Sequence, residues 1–126
     1  MNENLKRQLG DWWPVLKPIF ASQKFMSLRD ALKQEYSSGH VYPSADNVFR
    51  AFELTQFHDL KVVILGQDPY HNGIATGLAF ATNNGRMSPS LRNILKELHD
   101  SYGCDVPSDF DTSIEHWAKE GVLLIL

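Results

Sequence analysis

Gly66-Gln67-Asp68-Pro69-Tyr70-His71 gathers a carboxylate, a phenol and an imidazole on one short segment, directly after the apolar run Val62-Val63-Ile64-Leu65. Gly66 lets the chain turn sharply as it leaves that run, and Pro69 stiffens the loop. Titratable groups held on a rigid turn at a strand's carboxyl end suit acid–base or charge-stabilising chemistry. The same residues also fit a polar turn in which Asp68 only caps the loop, and local physics leaves both readings open.

Other common chemistries find no support. Residues 66–73 lack the Lys-Ser/Thr ending of a phosphate-binding loop and the GxGxxG spacing of a dinucleotide fold. The histidines at 40, 58, 71, 99 and 116 show no metal-ligand spacing. A single cysteine, Cys104, excludes an intramolecular disulfide and a multi-cysteine zinc site, and no base stands beside it to make it a nucleophile. The formal net charge of −3, without a run of like charges, argues against a protein that coats nucleic acid by charge alone. A local phosphate-binding face remains compatible, since backbone N–H groups and hydroxyls can make it.

A parallel strand buried on both faces is the natural reading of the uninterrupted Val62–Leu65 run. Val122 to Leu126 is a second such run, and Gly77 to Ala81 is expected to be a further short strand. Upstream, Leu5 to Phe20 reads as one or two short helices with Pro14 near a helix start. Phe25 to Tyr36 reads as a helix capped by Ser27, with Leu28, Ala31 and Leu32 on one face. Ala45 to Leu54 reads as a helix with Val48, Phe49, Ala51 and Phe52 towards the core. A helix opening at Ser88 or Ser90 runs to Tyr102-Gly103, and a last short helix covers Ile114 to Lys119. Helices alternating with buried-type strands predict a three-layer α/β/α fold with a central parallel sheet. Ligands in such sheets bind beyond the carboxyl ends of the strands, which is where residues 66–73 fall. The 126 residues fit one domain, with a helical segment over 1–60 and the sheet and its loops over 61–126. The N-terminus has no apolar signal-like region and no stretch reaches membrane-spanning length, so a cytoplasmic location is expected.

The Gly66–His71 segment resembles the water-activating loop of family 1 uracil-DNA glycosylases. Gly77-Leu78-Ala79-Phe80 follows at nearly the family's distance, and Ser88-Pro89-Ser90-Leu91 with the helix after it is similar to the family's Pro/Ser loop. Tyr42-Pro43, Val48 to Phe52, Lys61 to Leu65 and Trp117 to Leu124 extend the resemblance, in the family's order, over nearly the whole chain.

The resemblance implies hydrolysis of the N-glycosidic bond to uracil in DNA, within base-excision repair and without metal or redox cofactor. Asp68 would orient the attacking water and stabilise the oxocarbenium-like sugar. Tyr70 would exclude thymine by filling the space beside C5 of the base. Phe80 would stack on the flipped base, Gln67 would contact it mainly through backbone atoms, and His71 would support water or phosphate contacts. Ser88, Pro89 and Ser90 would press on the DNA backbone, where a helix N-terminus favours a phosphate. The implied partners are single- or double-stranded uracil-containing DNA and a proteinaceous glycosylase inhibitor, with the protein itself a monomer.

Departures from the family pattern set further expectations. Asn72-Gly73-Ile74 is shorter than the usual stretch by about one residue. The position at which the family reads the uracil edge with an Asn is Leu126, which cannot form those hydrogen bonds. The family's later His-Pro-Ser-Pro-Leu segment, which supplies an anion-stabilising histidine and a wedging leucine, has no counterpart. Loss of one such donor costs on the order of a hundred- to a thousand-fold in rate. The sequence is therefore expected to be a truncated domain whose activity is impaired. The alternatives are a non-catalytic DNA-binding or decoy remnant of the same fold, and an unrelated α/β hydrolase using Asp68 and His71.

Overall fold

The computed structural model describes residues 3–126. Helices α1 (Glu3–Leu9) and α2 (Trp13–Phe20) are joined by a 3-10 turn, Gly10–Trp12, and Pro14 sits in the first turn of α2 as its fixed φ permits. This N-terminal unit is fastened to the segment just before the sheet. Trp12 is buried, and its Nε1 donates to the Thr55 carbonyl at 2.6 Å. The Asp11 carboxylate accepts from the backbone N–H groups of Phe57 (2.7 Å) and His58 (3.1 Å), and the His58 ring closes on the same carboxylate. Trp12 also packs edge-on against Phe52 and Phe57, a favoured aromatic arrangement.

Helix α3 spans Gln23–Ser38, and its N-cap is Ser22, whose Oγ accepts from Phe25 N at 3.2 Å. The expected cap, Ser27, lies inside the helix, because the helical turn begins upstream of Phe25. The face carrying Leu28, Ala31 and Leu32 is exposed, and α3 buries no residue. The expected helix over 45–54 is broken in two: a 3-10 turn, Ala45–Asn47, and then α4 (Arg50–Leu54). Val48 is consequently turned outward while Ala51 reaches the core.

Strand β1 (Val62–Leu65) pairs in parallel with β2 (Val122–Ile125), in the register Val62 to Val122 through Leu65 to Ile125. Helices α4 and α6 (Glu115–Lys119) pack against β2, whose Leu123 and Leu124 are buried. Thr55, also buried, donates through Oγ1 to the Ala118 carbonyl at 2.8 Å, and Arg50 bridges Glu53 and Glu115, joining α4 to α6. The fold is α/β around a parallel sheet, as expected. The burial of β1 on both faces is not met: Val62, Val63 and Leu65 are exposed, because among the described residues β1 has only β2 as a strand neighbour.

Residues 77–81 form a buried turn and not a strand. Gly77 (φ +96°) and Phe80 (φ +68°) occupy the left-handed region, outside the extended conformation of a regular strand. Leu78, Ala79 and Ala81 are nonetheless core residues. Helix α5 (Pro89–Tyr102) is bounded as its sequence predicts. Ser88 Oγ accepts from Leu91 N, Pro89 occupies the first turn, and Gly103 in the left-handed conformation closes the end by donating to the His99 carbonyl at 2.8 Å.

Candidate active site

Both strands end at the same edge of the sheet, and the chain leaves β1 through Gly66. Gly66 N donates to the Ile125 carbonyl at 2.7 Å. A Cβ at Gly66 would stand 2.9 Å from Leu126 Cδ2 and 3.0 Å from Ala79 Cβ, so three segments converge there and only glycine fits without displacement. The buried turn is fixed to the same edge by Ala79 N, which donates to the Leu124 carbonyl at 3.0 Å. Its start is pinned by Gly77, where an added Cβ would lie 2.2 Å from the Asn47 carbonyl oxygen. Further along, Asn83 Nδ2 donates to the Gly73 carbonyl at 2.9 Å, and Thr82 Oγ1 donates to the Arg86 carbonyl at 2.8 Å while lying 3.0 Å from Thr112 Oγ1.

These constraints bring Gln67, Asp68, Tyr70, Phe80 and Ser90 around one cavity of about 320 Å³, which Leu65 and Leu126 complete. The volume lies within the range of small-molecule sites, roughly 300–1,000 Å³. His71 and Pro89 are exposed and outside the cavity lining, and Ser88, which is buried, lies outside it too. The Ser88 hydroxyl is already engaged: it accepts from Leu91 N at 3.3 Å and reaches the Phe80 carbonyl at 3.4 Å. It thereby ties the start of α5 to an aromatic residue of the cavity wall. Phe80 holds a backbone conformation uncommon for a bulky residue, and such strain concentrates at functional positions.

Asp68 makes no hydrogen bond or ion pair with the described residues, so its carboxylate remains free for a ligand. Together with Gln67 and Leu126, it also borders a second cavity of about 480 Å³, walled by Tyr36, Tyr42, Phe49 and Phe52 among others. The Asp68 loop is thus a partition with a cavity of mixed polar and apolar lining on one side and a mainly apolar one on the other. Among the described residues, no cluster of His, Cys, Asp and Glu is arranged to hold a metal ion, and no helix is long and apolar enough to cross a membrane.

The arrangement has relatives among known proteins. The sequence profile of the Uracil DNA glycosylase superfamily matches residues 52–125, which include the turn, both strands and the cavity wall apart from Leu126. The chain belongs to that superfamily. A uracil-DNA glycosylase of Bacillus velezensis is 48% identical over 124 residues, covering 96% of this chain and 54% of the relative. The Lactiplantibacillus plantarum uracil-DNA glycosylase is 50% identical over 117 residues, covering 91% of this chain and 50% of its own. The crystal structure of mimivirus uracil-DNA glycosylase superposes with a TM-score of 0.82 at 26% identity, covering 97% of this chain and 48% of that one. A mimivirus UNG variant solved in complex with UGI superposes equally well. The chain spans about half the length of the curated relatives it matches.

Sequence reasoning did not find Leu65 as a cavity residue. An aliphatic side chain at the end of an apolar strand carries no signal beyond core packing. Leu126, singled out by its place in the family pattern, does stand on the cavity wall.

Proposed function

We propose that this chain is a uracil-DNA glycosylase, excising uracil from DNA as a step of base-excision repair. The observation that carries the reading is the convergence of Gln67, Asp68, Tyr70, Phe80 and Ser90 on one cavity at the carboxyl edge of the sheet. The names of the relatives, matched across nearly the whole of this chain, support it.

In this reading a uracil leaves the base stack, at a cost of a few kcal/mol, and enters the cavity. Phe80 offers its ring to the face of the base, and Tyr70 closes the space in which a thymine methyl would sit. Water held by Asp68 attacks C1′ of the sugar. The C1′–N1 bond breaks, its electron pair leaves with the uracil, and the proton of the water passes to the carboxylate. Ser90, beside the N-terminus of α5, takes a phosphate of the DNA backbone, with Pro89 and Ser88 next to it. His71, outside the cavity, supports water or phosphate on the DNA side. Neither metal nor redox cofactor enters. The protein acts in the cytoplasm as a monomer, and a proteinaceous glycosylase inhibitor is a further partner, a reading supported by the UGI complex of the mimivirus protein.

The test is incubation with a uracil-containing single-stranded oligonucleotide, followed by alkaline cleavage at abasic sites. Cleavage lost in Asp68→Asn is the expected result. No cleavage from a folded chain overturns the reading. A second reading, a non-catalytic DNA-binding module, is favoured by one observation: the apolar Leu126 occupies the wall where a base-reading amide would be needed. It predicts binding of the oligonucleotide with no abasic product.

A further inference from the structure

The 480 Å³ cavity on the far side of the Asp68 loop takes part in no step of the reaction proposed above. Its volume lies within the range of small-molecule sites, roughly 300–1,000 Å³. Four half-buried aromatic residues line it: Tyr36, Tyr42, Phe49 and Phe52. The Tyr36 hydroxyl is already engaged, donating to the Pro43 carbonyl at 2.6 Å, so this residue offers the cavity its ring more than its polar tip. Asp68 is the one charged side chain of the lining, and no Lys, Arg or His shares it. Arg50, whose Cβ approaches Gly77 at the cavity margin, is committed to Glu53 at 2.8 Å and to Glu115 at 3.1 Å. The Asp68 charge is therefore unanswered among the described residues.

Aromatic walls with one free carboxylate select a particular kind of ligand. Ring faces attract cations, and most of all those whose positive charge is spread over methyl groups. A cation leaving water also needs a counter-charge, which Asp68 supplies. A hard metal ion demands a shell of several oxygens, and this lining is mainly apolar and aromatic. A primary ammonium needs acceptors for three N–H donors. A quaternary ammonium needs neither. We propose that this cavity is a binding site for an organic cation of the quaternary ammonium class, with its head among the four rings and its charge balanced by Asp68. The inference rests on the cavity and its charge and not on the glycosylase reading. Because Asp68 borders both cavities, a cation held here draws on the carboxylate that faces the 320 Å³ cavity as well.

The experiment is an NMR titration of the chain with choline and, in parallel, with 3,3-dimethylbutan-1-ol, which carries carbon in place of the charged nitrogen. Choline is expected to shift the ring resonances of Tyr36, Tyr42, Phe49 and Phe52 saturably, and the alcohol to bind weaker by about tenfold or more. Asp68 is exposed and makes no bond within the fold, so Asp68→Asn should leave thermal unfolding unchanged while weakening choline by about tenfold. Tyr42→Leu should weaken choline more than the alcohol. Equal affinity for the two probes overturns the inference, since it would mark a merely apolar cavity. So does the absence of a saturable shift with choline, or a shift confined to Tyr70 and Phe80, which line the other cavity. None of these readouts depends on uracil, so failure of the glycosylase reading would remain distinguishable.

Discussion

Gly66 and Ile125 are joined by a 2.7 Å hydrogen bond, from the N–H just after β1 to the last carbonyl of β2. This bond fixes the direction in which the Asp68 loop departs, and the crowding at Gly66 shows how little room the junction leaves. Gly66→Ala would force its methyl against Leu126 and Ala79. The expected cost is about 1–3 kcal/mol of stability, typical of overpacking. Under the proposed glycosylase reading, uracil excision should fall further than the loss of folded protein explains. Urea unfolding beside the alkaline cleavage assay separates the two effects, and an unchanged activity per folded molecule would sink the claim that this junction aims the loop.

Ser88 serves both α5 and the cavity wall. Ser88→Ala should lose about 1 kcal/mol as a helix cap, and Ser88→Asp, which can accept the same N–H, should recover most of it. Thermal unfolding of the two variants checks this. Equal melting temperatures for the wild type and Ser88→Ala would show that the cap is idle.

Trp12 anchors the N-terminal helices through its indole N–H on the Thr55 carbonyl. Trp12→Phe keeps an aromatic ring but leaves that buried carbonyl without its donor, which costs about 1–3 kcal/mol. A shift of the denaturation midpoint at unchanged slope is the expected signature. A change in slope would instead mean that the N-terminal unit detaches separately.

Asp11 gives the fold an acid-sensitive fastening. Burial acts to raise its pKa, but the hydrogen bonds from the His58 side chain and from the N–H groups of Phe57 and His58, with the nearby His58 charge, outweigh it. The carboxyl is left below its ordinary value. A depressed folded-state pKa means that this stabilisation is full above the ordinary carboxyl range, near pH 4, and is lost as pH falls through the lower folded value. Asp11→Asn should therefore be less stable than the wild type at pH 6, with the gap narrowing at pH 3. Urea midpoints at the two pH values decide it, and a gap constant with pH would remove Asp11 from the acid limb.

The parts of the fold that are legible in the sequence are those fixed locally. Helix α5 announces both ends, because a serine followed by proline and a terminal glycine act on their own neighbouring N–H and carbonyl groups. The two aliphatic runs form the two strands for the same reason. The segment 77–81 looks like a strand in sequence and is a turn, because its shape is dictated from outside: the Asn47 carbonyl demands glycine at 77, and the bond from Ala79 to Leu124 holds the turn at the sheet edge. Likewise, the exposure of β1 depends on which neighbours are present, a fact no run of four aliphatic residues can state. In the site, the resemblance points to Asp68, Tyr70 and Phe80, and the fold brings them to one cavity. The engagement of the Ser88 hydroxyl with the Phe80 carbonyl, across eight positions in sequence, has no local signature.

The clamp made by Asp11 and Trp12 grips residues 55–58, while the chemistry-bearing loop begins at Gly66. Between them stands β1, a stiff spacer of four residues, roughly 13 Å long at strand rise. Foundation and workshop are thus at opposite ends of one short beam. Substitutions around the clamp should change how long the folded protein lasts and leave the identity of its ligand alone. Those at the far end can redirect the ligand while drawing on stability held elsewhere.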